Sequence, residues 1–408
     1  MNLDFLILNI SPYYQYHLTH CLDGGNARYI SYKVLLFFFQ VVLSSFAVFS
    51  QPQHPDTSSL KIVFAGDIMG HDAQIDGAWI DSLGGYDYEP VFRFIKPYLE
   101  TTDIAVGNLE VTLAGPPYKG YPQFSSPDSV AVEAKKAGFD ILLTANNHAL
   151  DRGQKGFNRT LSILDSLKII HSGTFSDSIS RVRYYPLIIE KNGVRVAILN
   201  YTYGTNGLTV KSPSIINRID SLQIRRDIEK AGKADPDFII VAIHWGIEYE
   251  RDENREQQKL AEYMIRNGAD AIIGSHPHVI QPVKRYYPDK YDSMKYNLIV
   301  YSLGNFVSNQ RARYKDGGIM FEMTLIKTAV HTTISDYNYM PAWIYREDKA
   351  DKSTFYILPA ELYLQNEDYF GFPDHVRYKL TQFYNDTREH LRHVPENHFF
   401  SGYHLITE

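Results

Sequence analysis

The residues in this chain best equipped for chemistry fall just after short apolar runs. Lys61–Ala65 leads into Gly66-Asp67, and Asp103–Val106 leads into Asn108-Leu109-Glu110. Asp140–Leu143 leads into Asn146-Asn147-His148, Phe238–Ile243 into His244-Trp245-Gly246, and Ala271–Ile273 into His276-Pro277-His278. Short apolar runs that alternate with helix-like segments read as buried strands of an α/β sheet. In open α/β sheets the ligand site lies beyond the carboxyl ends of the strands. These strand ends therefore deliver two carboxylates, an amide with an imidazole, a further imidazole, and a pair of imidazoles to one rim. Mixed nitrogen and oxygen donors suit Zn, Mn or Fe better than Ca or Mg. Each motif alone has an ordinary reading: Gly-Asp as a turn, Asn-Asn-His as a helix cap, His-Trp-Gly as a core pair. Their ordered recurrence at strand ends is what points to a shared site.

Other segments supply the elements that must position this rim. Val91, Phe94, Ile95 and Tyr98 have helical spacing, which predicts a helix over Pro90–Leu99. Ser126 is expected to cap a helix with Pro127 at its first position, running to Ala137. Phe157, Leu161, Leu164 and Leu167 mark another helix, and Asn254–Arg266 a further one. Asn192-Gly193 turns a hairpin between Tyr185–Glu190 and Val194–Asn200. Leu298–Tyr301 and Ile319–Leu325 read as strands, Thr332–Tyr345 as more sheet, and Pro373–His393 as a final helix. The alternation predicts a layered α/β fold rather than a helical bundle or an all-β sandwich.

The 408 residues carry a net charge of −6 and no long basic run, which argues against nucleic acid as a partner. One cysteine, Cys21, excludes an intramolecular disulfide and a thiolate-built zinc site, leaving the 15 histidines as the metal-binding resource. Val34–Ser50 is an apolar run behind Lys33 and reads as a secretory signal cleaved before Gln51. Export to the periplasm or cell surface follows, with an uncleaved membrane anchor as the alternative. The expected organisation is an extension and signal over 1–50, a linker over 51–60, a main domain over 61–325 and a C-terminal extension over 326–408.

Gly66-Asp67-Ile68-Met69, Asn108-Leu109-Glu110, Ala145-Asn146-Asn147-His148, His244-Trp245-Gly246, Ser275-His276-Pro277-His278 and Ser302-Leu303-Gly304-Asn305-Phe306 occur in that order. Together they resemble the CapA family of capsule and poly-gamma-glutamate synthesis. That family is similar to the calcineurin-like metallophosphoesterases, so the resemblance implies a four-layer α/β/β/α sandwich of the metallo-dependent phosphatase type. It also implies two divalent ions, Mn, Zn or Fe. Asp67 would bind the first and Glu110 both, Asn147 and His244 would bind the second, and His276 and His278 would be divided between them. His148 would protonate a leaving group and Asp151 would orient it, with Asn108 and Asn305 as candidates for holding ligands in place.

The sequence departs from the phosphoesterase pattern in three places. No Asp-x-His follows the first strand, His71 lying four residues past Asp67; Glu110 stands for the usual aspartate; and Ala149 follows His148. Two functions follow. One is an exported hydrolase acting on a phosphoester or an anionic polymer, partnered by a membrane-bound polymer synthase. The other is a non-catalytic protein that grips the same polymer or partner. A general phosphatase or nuclease reading rests on fold alone.

Overall fold

The computed structural model describes residues 57–288 and 296–405. The expected signal segment, the extension before it and residues 51–56 of the linker lie outside them. Among the described residues no helix is long and apolar enough to cross a membrane.

The chain lays down two sheets in turn. Strands β1 (Ser58–Ile68), β2 (Ile104–Leu109), β3 (Ile141–Leu143) and β4 (Ile170–Ser172) run parallel in the first. The second contains β5 (Leu187–Lys191), β6 (Val194–Thr202), β7 (Phe238–His244), β8 (Ala271–Ser275), β9 (Val283–Tyr286) and β10 (Asn297–Val300). Here β6, β7, β8 and β10 are mutually parallel, and β5 and β9 close the edges antiparallel. The chain then returns to the first sheet. Strand β11 (Asn305–Val307) pairs with β1 in parallel, and β12 (Gly317–Lys327), β13 (Thr332–Asp348) and β14 (Ser353–Pro359) extend it antiparallel.

Side-chain alternation stacks these sheets between helices. Leu60, Ile62 and Phe64 of β1 share a core with Val196 and Ile198 of β6 and Ile240 of β7, all nearly or fully buried. Val63 and Ala65 point the other way, into a layer containing Val130, Ala131 and Ala134 of α1 (Ser129–Ala137) and Leu164 of α2 (Gly153–Ser166). On the far side, Leu199, Tyr201, Val241 and Ile243 meet Ile224 and Ile228 of α3 (Ser221–Lys233) and Ala261 and Met264 of α4 (Arg255–Arg266). Strands covered on both faces must be apolar at every position, which explains the unbroken runs at β1 and β7. The result is the α/β/β/α sandwich that the resemblance implies. Helix α5 (Asp374–His390) adds Leu380 and Phe383 to the core between the sheets.

Two expected helices differ in detail. Pro90–Leu99 forms two separate turns, Glu89–Phe92 and Lys96–Leu99, because Pro97 cannot donate the N–H a continuous helix would need. The buried face of Val91, Ile95 and Tyr98 survives the break. Helix α1 begins after Asp128 rather than at Pro127, and the Asp128 carboxylate makes no capping bond but is gripped by Arg159 at 2.6 and 2.7 Å.

The parallel strands of both sheets end on one side, and glycine lets them approach there. The Asp67 N–H donates to the Gly304 carbonyl at 3.1 Å, tying β1 to the turn before β11. A Cβ on Gly66 would sit 2.0 Å from that same oxygen. Gly66→Ala should therefore cost about 3 kcal/mol of unfolding free energy, the scale of core overpacking. Gly232→Ala in α3, where a Cβ meets nothing within 4 Å, should instead stabilise by about 0.5–1 kcal/mol. Urea unfolding of both variants checks the contrast; equal midpoints would refute the steric account.

Candidate metal centre

Asp67 lies at the end of β1, and Asn108 on β2 donates to its Oδ1 at 2.7 Å. Glu110 follows β2 and is fully buried, yet neither of its carboxylate oxygens has a hydrogen-bond partner. The loop after β3 brings in Asn147, whose Oδ1 lies 2.7 Å from His244 Nε2. His244 ends β7, crossing from the second sheet, and its Nε2 is 3.4 Å from Glu110 Oε1. Its other nitrogen, Nδ1, faces Ser275 Oγ at 2.9 Å and the Asn108 amide at 3.3 Å. A ligating imidazole whose second nitrogen is held this way has a fixed ring orientation.

The turn after β8 supplies His276 and His278. His278 Nδ1 lies 3.1 Å from Asp67 Oδ2, its Nε2 3.8 Å from Glu110 Oε1, and His276 Nδ1 is buried without a partner. Both histidines have positive φ, 99° and 57°, on either side of Pro277. Such backbone costs roughly 1–3 kcal/mol per residue and persists only where surrounding structure enforces it. Here the Tyr249 N–H holds the Pro277 carbonyl at 2.7 Å, and the Asn305 amide donates to the His278 carbonyl at 3.3 Å. Asn305 thus holds the turn's backbone, whereas Asn108 holds a carboxylate directly.

The electrostatics are those of a site short of positive charge. Burial, with the Asp67 carboxylate nearby, pushes Glu110 well above the usual carboxylate range. Burial acts the same way on Asp67, but the hydrogen bond from His278 and that ring's charge overcome it and hold Asp67 low. Burial and the neighbouring imidazoles push His244 well down, and burial with His278 pushes His276 to about 3. The His244 and His276 imidazoles, held toward the neutral form, and the orphaned Glu110 oxygens form a donor set that fits divalent cations. Ligand atoms of Asp67, Glu110 and His244 lie within 4.8 Å of one another, as do those of Glu110, His276 and His278. Glu110 is common to both groups, the position the resemblance gives to a bridging ligand. Side-chain proximity pairs Asp67 with His244, where the resemblance separates them.

Beside the donors sits a buried dyad. His148 Nδ1 is 2.6 Å from Asp151 Oδ2, and His148 Nε2 is 4.0 Å from Glu110 Oε1. Asp151 Oδ2 also accepts from the Phe124 N–H at 2.8 Å, and the Phe124 ring packs edge-on to His148 at 4.7 Å. His71 belongs to neither donor group. Its Nδ1 lies 3.2 Å from the Asn309 N–H and 3.1 Å from Gln74 Oε1. The motifs do not mark Tyr203, whose ring lies 4.5 Å from that of His276 and parallel to His244. Nothing in its local sequence, Asn200-Tyr201-Thr202-Tyr203, signals that position.

A four-layer sandwich that gathers carboxylate, amide and imidazole donors at its strand ends resembles the metallo-dependent phosphoesterase fold. The chain belongs to the bacterial capsule synthesis protein PGA_cap family, whose profile matches residues 61–310. It is 31% identical over 284 residues to the capsule biosynthesis protein CapA of Bacillus anthracis, covering 66% of this chain and 64% of that protein. It is also 31% identical over 265 residues to the PGA biosynthesis protein CapA of Bacillus subtilis, covering 62% and 64%. The chain thus spans somewhat less than two thirds of either relative. Among solved structures, the calcineurin-like phosphoesterase YfkN of Bacillus subtilis aligns with a TM-score of 0.42 at 16% identity. That alignment covers 70% of this chain and 90% of that one, and is too distant to bear on function.

If the orphaned oxygens of Glu110 await cations, Mn or Zn should raise the melting temperature of the chelator-treated protein. A site at 100 times its Kd contributes about 2.7 kcal/mol. Glu110→Gln should melt close to the parent in chelator, since burial already holds Glu110 toward its neutral form, and should lose most of the metal-induced rise. An unchanged rise in Glu110→Gln would remove Glu110 from the ligand set.

Proposed function

We propose that this protein is an exported, metal-dependent phosphoester hydrolase of capsule or cell-wall polymer biosynthesis. The observation that carries the reading is the His148–Asp151 contact at 2.6 Å beside the shared Glu110 carboxylate. A buried imidazole oriented by its own carboxylate is what general acid catalysis requires. Asp67, Glu110, Asn147, His244, His276 and His278 would hold two divalent ions of Mn, Zn or Fe. Bound there, such ions supply Lewis acidity and lower the pKa of water.

The chain's own residues have separable tasks in this reading. Asp151 accepts from His148 Nδ1, which leaves Nε2 facing the donors and able to carry a proton to a departing oxygen. Asn108 fixes Asp67 and, with Ser275, the rotation of His244. The substrate class is a phosphoester or anionic polymer, and a membrane-bound polymer synthase is the proposed partner, as family membership suggests. The alternative, a non-catalytic binding protein, draws on Ala149 after His148 and on the position of His71 outside both donor groups.

A general acid matters most when the leaving group is basic. His148→Ala should lower kcat on an alkyl phosphodiester by about 10²–10⁴-fold, with a much smaller loss on bis(p-nitrophenyl) phosphate, at unchanged metal content. Equal losses on both substrates would sink the proton-donor role. No turnover by the metal-loaded parent on either substrate would sink hydrolysis and favour the binding alternative. Export predicts that protein recovered from the cell envelope begins at Gln51; recovery of the intact amino terminus would favour an anchor.

A further inference from the structure

Tyr203 has neighbours on two sides. Its backbone N–H donates to the His244 carbonyl at 3.0 Å, and its ring lies against His276, yet 42% of the residue is exposed. The same residue lines a cleft of about 520 Å³ that also touches Trp245, Ser221, Leu260 and Tyr263. One wall of the cleft is the start of α3 and another is the first half of α4. The volume falls within the range of small-molecule sites, roughly 300–1,000 Å³. Tyr203 thus lies between the metal centre and the cleft and touches both.

The lining states what the cleft can hold. Its accessible aromatic groups are Tyr203 and Tyr263, Trp245 being buried behind them, and its neutral polar groups include Ser221 and Asn254. Its one cation, Lys259, is paired with Glu256 at 2.9 Å, and both residues line the cleft. A chain with a carboxylate on every unit would find no net positive charge in this lining, where Lys259 is matched by Glu256, and complementarity of charge selects partners. Aromatic faces with neutral hydrogen-bonding groups instead match the C–H faces and hydroxyls of sugar rings. We infer that the cleft beside Tyr203 is a subsite for a neutral sugar chain, so that the phosphoester taken at the metal centre carries a glycan. The substrate's negative charge is then concentrated at the scissile phosphate, where the cations would be. This inference rests on the hydrolase reading for its placement, but its binding test does not depend on turnover.

Calorimetry on the full chain, chelator-treated and Mn-loaded, tests it with chitohexaose and maltohexaose as probes. At least one hexasaccharide should bind in both states. Ser221→Trp, which fills the cleft from an exposed position, and Tyr203→Ala should each weaken binding by about three- to tenfold, while Tyr203→Phe should keep it, as expected for a lost or retained ring contact. Poly-gamma-glutamate and adenosine should not compete. The inference is overturned if neither hexasaccharide binds, if Ser221→Trp and Tyr203→Ala both bind as the parent does, or if poly-gamma-glutamate or adenosine displaces the sugar. Sugar binding without phosphodiester turnover would keep the cleft assignment and reject the hydrolase. Turnover without sugar binding would do the reverse.

Discussion

Two carboxylates held out of water, Asp67 against His278 and Glu110 with no hydrogen-bond partner, are the constraint around which this molecule is arranged. Asp67 and Glu110 are both fully buried, and the imidazoles of His244 and His276 beside them are themselves driven toward the neutral form. Such a cluster is costly to assemble, because desolvation penalises every charge and the like charges repel. It persists only if the surrounding fold holds it in place. The surrounding fold does so by using strand ends, the stiffest positions available, and by enclosing them between two sheets whose shared core runs from Leu60 to Val394.

That constraint accounts for details that otherwise look incidental. The absence of a side chain on Gly66 lets the turn before β11 close on β1, which seats Asp67. The positive φ values at His276 and His278 turn two imidazoles into the site from one short loop, and Tyr249 and Asn305 supply the bonds that hold it. Asn108 serves both sheets at once, with Asp67 on one side and His244 on the other. Strain and buried charge thus occur together, as they do where structure is committed to binding or catalysis. The cleft past Tyr203, lined by groups such as Tyr263, Ser221 and Asn254, differs in character from the buried carboxylates and imidazoles beside it.

Much of the layering was legible from patterning alone, since strands buried on both faces leave uninterrupted apolar runs at Lys61–Ala65 and Phe238–Ile243. The misread elements share a cause. At Pro90–Leu99 the apolar spacing was right, but the missing N–H of Pro97 divided the helix into two turns. At Ser126 a good capping residue lies outside the helix, and Asp128 at the cap position gives its carboxylate to Arg159, 31 positions away, rather than to the helix. Local preference loses wherever a distant partner offers more than the local one, and no window of sequence contains that partner.

The kinds of donors, their order and their place after strands were determined by the sequence by itself, because apolar runs make strands and parallel strands present their carboxyl ends on one side. Which atoms meet was decided only in three dimensions. His278 finds Asp67 across 211 residues and His244 finds Asn147 across 97, distances that strand periodicity does not encode. His71, only four residues from Asp67, is engaged by Gln74 and Asn309 instead of joining the donors, while Tyr203, with no motif to mark it, packs against two imidazoles. The physical reason is that side-chain direction and the stacking of one sheet on the other set through-space contacts, and both arise from packing the whole core.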